Sequence, residues 1–187
     1  MTTSSYDVVS LKDLLSVYPE ESVSKKLSGF SCKRDADVES FLKTKAIAQE
    51  KRQISRTYLI FTADRKELVA YFTVAISSME VSDLQCSKNM ERMMNIQKGL
   101  AQCYLLGQLG KCDGTPMGLG KFAMGHAINR IMAANLNVGC RLLRVDCKDS
   151  LKKYYEENGF SSARRNKDND YMQMIRIIGT LPAQPAH

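Results

Sequence analysis

A strand-to-helix junction near the middle of the chain constrains the fold most. Residues 103–110 form an apolar run of strand length, and apolar positions between Leu119 and Ala134 recur at helical spacing. The connecting loop includes the sequence GTPMGLGK over residues 114–121. Glycines at the start of a helix let the backbone approach an anion, which the helix N–H groups and dipole favour. The same glycines can also serve only to relieve crowding in a tight turn, so a second feature has to decide.

Two common nucleotide-binding motifs are excluded by spacing. A Walker loop has four residues between its first glycine and the Gly-Lys pair, followed by Ser or Thr. In this chain five residues separate Gly114 from Gly120, and Phe122 follows the lysine. A dinucleotide fingerprint begins directly after its strand, whereas several residues separate Gly110 from Gly118. Neither motif explains the loop.

The remaining patterns predict one mixed α/β domain of 187 residues. Helical spacing indicates helices over residues 10–17, behind a capping serine, and over residues 35–52. Alternating or apolar runs indicate strands, and a glycine at position 159 ends a short helix. The further predicted elements are strands at 58–62, 68–76, 141–147 and 171–178, a helix at 150–158, a Met-rich connection at 77–98 and a basic loop at 163–167.

The amino-acid composition indicates which kinds of partner and which cellular compartment to expect. Lys plus Arg number 27 against 20 Asp plus Glu, and the resulting charge of +7 favours anionic partners. The six cysteines include no C-x-x-C pair and there are only two histidines, so zinc is not expected. Two cysteines lie in apolar strand-like runs, which favours free thiols and a cytoplasmic protein. The chain has no run of about 20 apolar residues such as a membrane helix needs.

Three motifs in order carry a family resemblance. The sequence LLGQL at residues 105–109 is followed by the G-x-G at residues 118–120 and by YYEENGF at residues 154–160. In this order they resemble the GNAT superfamily of acetyl-CoA-dependent N-acetyltransferases over residues 103–160. The resemblance implies a central twisted, mostly antiparallel sheet that is flanked by helices and splayed between its two middle strands.

The N-terminal half has a narrower resemblance. The sequences FSC at 30–32, SRTY at 55–58 and LVAYF at 68–72, with the helix between them, look like the acetyltransferase toxins of toxin-antitoxin pairs. Those toxins acetylate the amino group of aminoacyl-tRNA. One departure concerns the loop, where Thr115 stands in place of the family's Gln or Arg, with Pro116 and Met117 after it. We expect this change to weaken coenzyme binding without abolishing it, because backbone N–H groups hold most of the pyrophosphate.

The resemblance implies roles for individual residues. It assigns Tyr155 as the general acid that protonates the leaving coenzyme thiolate, a role open to a phenol at neutral pH, and Tyr154 to packing. It identifies no general base, and Glu67, Glu80 and Asp146 are candidates only because they lie near strands. No metal is implied. The residues expected to bind acetyl-CoA are Leu109, Gly110 and Lys111 for the pantetheine arm, and Met117, Gly118, Leu119, Gly120 and Lys121 for the pyrophosphate.

We expect residues 101–160 to bind the coenzyme and residues 1–100 to form the acceptor side. Residues 180–187 are expected to be a disordered tail. Two acceptor classes stay open: aminoacyl-tRNA, and a small-molecule or protein amine. We expect loops around residues 80–100 and 161–170 to set the choice. The toxin branch implies an antitoxin partner, and homodimers are common in the family.

Two other functions compete with the enzyme. One is a non-catalytic binding module that keeps the fold but has lost tight coenzyme binding. The other is a nucleic-acid-binding protein, whose affinity for phosphates should fall steeply with salt. The basic side chains that would form its phosphate-contacting face are Lys111, Lys121, Arg164, Arg165 and Lys167.

Overall fold

The computed structural model describes residues 6–179, and this part of the chain contains eight strands and seven α-helices. The predicted tail at 180–187 lies outside the described residues. The first half comprises β1 (Tyr6–Ser10), α1 (Leu11–Val17), α2 (Glu20–Ser28), α3 (Ala36–Thr44), α4 (Ala46–Lys51), β2 (Arg56–Thr62), β3 (Leu68–Glu80) and α5 (Lys88–Arg92). The second half comprises β4 (Ile96–Gln97), β5 (Leu100–Lys111), α6 (Leu119–Asn135), β6 (Leu142–Cys147), α7 (Lys152–Glu157), β7 (Ser161–Arg165) and β8 (Met172–Ile177).

The strands form a mixed sheet with one parallel pair in the middle. Its order over the described residues is β1-β2-β3-β5-β6-β8-β7, and β4 pairs with β5 outside this order. The parallel pair, β5 with β6, has the register Tyr104 to Leu143 and Leu105 to Arg144. Both strands continue beyond these pairs, β5 to Lys111 and β6 to Cys147. The predicted fold, a mostly antiparallel sheet splayed between its two middle strands, is confirmed.

By contact density the chain forms two compact units, each with its own core. The first comprises Met1–Ala75 and Gly107–Ile128. Its four N-terminal helices bury apolar side chains against β2 and β3. Phe30 packs edge-on to Tyr71 with their ring centroids 5.2 Å apart, and the Tyr71 hydroxyl donates to the Val38 carbonyl at 2.5 Å. Burying these rings and aliphatic groups is the main source of stability in this unit.

The second unit comprises Ile76–Leu106 and Asn129–His187. Met79 and Met94 are buried in its core together with Cys103 and Leu142, and Met90 packs at the edge. Methionines of the Met-rich connection therefore pack into this core, where their flexible side chains fill irregular gaps. Within it, residues 77–80 extend β3, and α5 supplies the helical part.

Several predicted elements need correction. β1 and α2 were not predicted, and the helix expected over residues 35–52 is two helices that meet at Lys45. The basic cluster at 163–167, expected to be a loop, is largely the strand β7. Ala163 is fully buried there and Arg164 is only 8% exposed. Its guanidinium is enclosed because the backbone carbonyls of Glu80 and Ser82 accept its hydrogen bonds.

All six cysteines are free thiols. Burial raises the pKa of Cys103 to about 12 and that of Cys147 to about 11. Between residues 6 and 179, no helix combines the length and apolar character needed to cross a membrane.

Candidate coenzyme and catalytic site

The end of β5 and its loop are held in shape by their own side chains. Lys111 Nζ donates to the Thr115 carbonyl at 3.3 Å, and Thr115 Oγ1 donates to the Cys112 carbonyl at 2.8 Å. The Cys112 N–H donates to the Val69 carbonyl of β3 at 2.8 Å. Thr115, which replaces the family's Gln or Arg, thus has its hydroxyl committed to closing the loop.

Asp113 anchors the same loop to the segment after α2. Its Oδ2 accepts from the Lys33 N–H at 3.0 Å and from Ser31 Oγ at 3.1 Å, and its own N–H donates to the Ser31 carbonyl at 3.0 Å. The hydrogen bond from the Lys33 N–H is the main cause that lowers the pKa of Asp113. An ionised Asp113 therefore fixes the entry to the glycine segment.

The glycine segment places exposed backbone at the start of α6. Gly118 has a φ of +92°, a conformation that favours glycine, and its carbonyl accepts from the Phe122 N–H at 3.0 Å. Met117 is 99% exposed, whereas Leu119 is buried and ties the helix start to the core. The first turn of α6 contains no acidic residue and includes the exposed Lys121. Positive charge and the N-terminal end of a 17-residue helix suit an anion such as pyrophosphate.

Tyr155 lies in α7, in the second unit, and is 5% exposed. Its ring packs at steep angles against Tyr154 and Phe160, with centroids 5.2 and 5.6 Å away. The Tyr155 carbonyl accepts from the N–H groups of Asn158 and Phe160, both at 3.0 Å. Gly159, at a φ of +80°, allows the chain to turn there, as the sequence predicts. Ring contacts and backbone hydrogen bonds together therefore hold Tyr155 in position.

The three candidate bases have different surroundings. Glu67 borders a cleft of about 1080 Å³ in the first unit, which also touches the loop at Gly114, Thr115 and Pro116. Glu80 accepts from Lys167 and Arg164, and these contacts lower its pKa, with Lys167 the larger cause. Asp146 is bound by Arg144 through two hydrogen bonds of 2.8 and 3.1 Å. The lowered pKa makes the Glu80 carboxylate a weaker proton acceptor, which argues against Glu80 as the base.

The residues predicted to bind acetyl-CoA all belong to the first unit, where β5 leads through the loop into α6. Tyr155 belongs to the second unit. The sequence interpretation missed a charged cluster around Arg144 and Asp146 in that unit. The sequence signal for this cluster is the alternation of charged and apolar residues in β6. Arg144 and Asp146 share the face opposite Leu143, Val145 and Cys147. No group of three or more potential metal ligands occurs among residues 6–179.

Comparison with known proteins rests on structure alone. No family model matches the sequence, and no curated protein matches it. AtaT complexed with acetyl-methionyl-tRNAfMet has a TM-score of 0.69 and 21% identity, over 90% of this chain and 94% of that one. A tyrosine-to-phenylalanine mutant of KacT has a TM-score of 0.71 and 21% identity, over 90% and 93%. AtaTR bound with AcCoA has a TM-score of 0.64 and 20% identity, over 91% and 92%.

These proteins are GNAT-fold acetyltransferase toxins of toxin-antitoxin systems. The agreement extends over nearly the whole length of both chains, so it includes the N-terminal helices as well as the splayed sheet. At 21% sequence identity, this structural agreement concerns the architecture alone. The chain therefore has the GNAT fold, in the form found in the acetyltransferase toxins AtaT and KacT.

Proposed function

We propose that the protein transfers an acetyl group from acetyl-CoA to a primary amine. The observation that carries this proposal is that the register pairs of β5 with β6 end at Leu105 and Arg144, whereas β5 continues to Lys111 and leads into the glycine segment at the start of α6. A strand that leaves its partner exposes backbone groups that an extended ligand can pair with. The glycine segment that follows offers backbone to an anion. Together they suit an extended arm that ends in a pyrophosphate.

In this proposal each part of the coenzyme has its own residues. Leu109, Gly110 and Lys111 hold the pantetheine arm through their backbone. The segment from Met117 to Lys121 holds the pyrophosphate, with Lys121 adding a positive charge. Thr115 contributes indirectly, because its hydroxyl closes the loop on the Cys112 carbonyl. Affinity then depends on loop geometry more than on any one side chain.

Tyr155 is assigned the protonation of the leaving group. Acetyl-CoA supplies an acetyl thioester; the amine forms the new C–N bond as the C–S bond breaks, and the amine's extra proton leaves to solvent. Tyr155 donates its phenolic proton to the departing thiolate and regains one from water. The packing of its ring against Tyr154 and Phe160 keeps the hydroxyl in one place, which is what a general acid requires.

For the acceptor we favour the amino group of aminoacyl-tRNA over a small-molecule or protein amine. Support comes from the fold likeness to AtaT, whose complex contains acetyl-methionyl-tRNAfMet, and from the net charge of +7. The neighbours include AtaT bound to the C-terminus of the antitoxin AtaR, which supports an antitoxin as partner. A cytoplasmic location and a homodimer complete the proposal.

The structure disfavours the nucleic-acid-binding alternative in its predicted form. Of the five basic residues in the predicted face, Arg164 is buried, and Arg165 pairs with Asp149 at 2.8 Å. Lys167 pairs with Glu80 at 3.3 Å, and Lys111 donates into its own loop. Side chains already engaged in this way contribute little to counterion release on phosphate binding.

An acetyl-transfer assay tests the proposal. The purified protein is incubated with labelled acetyl-CoA and either charged tRNA or the matching amino acid amide. We expect label on the aminoacyl group and stoichiometric release of coenzyme thiol. Transfer only to the amide would replace the tRNA assignment with a small amine, and binding of acetyl-CoA without transfer to any amine would favour the non-catalytic module.

Expression should arrest growth, and a gene for a small partner next to this one should relieve the arrest.

A further inference from the structure

A wide cleft in the first unit borders the loop that leads into the glycine segment. Its volume is about 1080 Å³, and one side is formed by Cys112 to Pro116, the residues directly before Met117. The end of α2 and the turn between β2 and β3 form further sides, and Tyr6 of β1 also lines the cleft. Pockets for small molecules commonly measure about 300–1,000 Å³, so this cleft has room for a nucleoside phosphate.

Tyr6 stands at one end of a row of three aromatic side chains. Its ring centroid lies 5.3 Å from that of Phe122, and the Phe122 centroid lies 4.4 Å from that of His126. Phe122 and His126 are one turn apart on α6, and Phe122 directly follows Lys121. All three side chains are half-buried rather than enclosed in the core. The row therefore links the start of α6 to the wall of the cleft.

An aromatic ring in the wall of a cleft can hold a nucleobase by stacking, and such stacking tolerates any base because every base has a π-face. Phe122 contacts the Tyr6 ring, and His126 contacts Phe122 in turn. These contacts restrain the Tyr6 ring, so less conformational entropy is lost when a ligand stacks on it.

The cleft also carries charges of both signs. The charged residues that line it are Lys25, Lys26, Lys66, Asp64, Glu67 and Asp113. Lys66 pairs with Asp64 at 3.3 Å, and Lys26 Nζ donates to the Lys66 carbonyl at 2.5 Å. Lys25, in the last turn of α2, and Glu67 are a cation and an acceptor on the same cleft. A nucleoside phosphate suits both, because its phosphate is anionic and adenine carries an amino group that donates hydrogen bonds.

We infer that this cleft binds the adenosine end of acetyl-CoA, with the adenine stacked on Tyr6. The inference rests on the proposed function, in which Met117 to Lys121 hold the pyrophosphate. The adenosine is joined to that pyrophosphate, and the cleft lining ends at Pro116, one residue before Met117. The two sites thus adjoin within one unit. Tyr6 is then a residue that distinguishes the whole coenzyme from thioesters that lack the nucleoside.

Nucleotide fragments test the inference. Titration calorimetry measures the Kd of acetyl-CoA and that of adenosine 3′,5′-bisphosphate, which is the nucleoside end alone. We expect Tyr6→Leu to weaken both at least about fivefold, because stacking on one base is lost. Tyr6→Phe keeps the ring and should keep the wild-type Kd values. Tyr18→Leu is the matched control, since Tyr18 is 55% exposed and lines a different pocket.

A contact measurement separates stacking from an indirect effect of Tyr6 on the fold. In an isotope-filtered NOE experiment on the wild-type protein, the adenine H2 and H8 protons should show contacts to the Tyr6 ring protons. Unchanged Kd values in Tyr6→Leu, or bound adenine without a contact to Tyr6, would overturn the inference.

Two further results have distinct meanings. If Tyr6→Leu weakened only the binding of tRNA, the ligand would be the terminal adenosine of the acceptor, and the inference would be overturned. In that case, as in the two above, acetyl-CoA still binds to the wild-type protein and the proposed function stands. No binding of acetyl-CoA to the wild-type protein would instead mark the failure of the proposed function, and the inference would fail with it.

Discussion

Gly110 of β5 lies so close to Val38 of α3 that a methyl group on its Cα would overlap Cγ1 of Val38. The same methyl group would lie 3.2 Å from Cε1 of Tyr71 and 3.5 Å from Cζ of Phe30. The glycine is therefore required by packing in the first unit, before any role in holding a coenzyme arm.

Gly110→Ala should lower the free energy of unfolding by about 1–3 kcal/mol, because the added methyl group overpacks this contact. Chemical denaturation measures the change. Adding Val38→Ala should recover part of the loss, so that the double variant is more stable than the sum of the single effects. If the two changes in the free energy of unfolding were strictly additive, residues 110 and 38 would not be in contact.

Tyr155→Phe should reduce kcat/KM for acetyl transfer by about 10²–10⁴-fold, the range for losing a general acid. Acetyl-CoA binding should persist, since the ring still packs against Tyr154 and Phe160. Tyr154→Phe is the matched control and should stay near wild type in a thiol-release assay. Wild-type turnover by the Tyr155 variant would remove it from the mechanism.

Glu50 stabilises the junction of α4 with β2. Its carboxylate accepts from Arg56 Nη1 at 2.6 Å and from the Thr57 N–H at 2.8 Å, and its side chain is 2% exposed. Glu50→Ala should cost about 1–3 kcal/mol in urea unfolding, because the buried Thr57 N–H loses its partner. Glu20→Ala should cost far less, since its pair with Lys51 is exposed. Similar losses for both would contradict this assignment.

The turn between β2 and β3 carries a pH-dependent contact. The Thr62 hydroxyl, more than the Lys66 N–H, lowers the pKa of Asp64 from 3.8 to about 2. Because the folded pKa is depressed, the stabilisation is complete above 3.8 and is lost as the pH falls through about 2. Carboxyl NMR titration should show this midpoint in the wild type.

Thr62→Ala should raise that midpoint towards 3.8, because it removes the main hydrogen bond to the carboxylate. Lys66→Ala should shift it less, since the backbone N–H still donates to Asp64. A midpoint near 3.8 in the wild type would mean that the turn does not hold Asp64 as described.

The sequence predicted several elements well because local and global preferences agree in them. The cap at Ser10, the long face of α6 and the glycine after α7 each combine periodicity with a turn signal. The prediction failed where the signal is weak. The helix α2 buries only Val23 and Leu27, and β1 is five residues long.

Burial of charge is the part of the candidate site that the sequence could not predict. The basic run at 163–167 predicts a loop, yet the partners of Arg164, Glu80 and Ser82, lie more than 80 positions earlier in the chain. Long-range ion pairs of this kind leave no local pattern. The positions of Tyr155 and the glycine segment follow the family motif, and their roles stay predictions.

Isothermal titration with acetyl-CoA measures whether the protein binds its proposed co-substrate. We expect saturable 1:1 binding, with a Kd below about 1 mM. Gly118→Val should weaken binding at least about tenfold, because a β-branched residue disfavours the φ of +92° that shapes the loop. A Cβ atom at this position would meet nothing within 4 Å, so the effect should stay local. No heat from the wild-type protein at millimolar acetyl-CoA would contradict the proposed acetyl transfer.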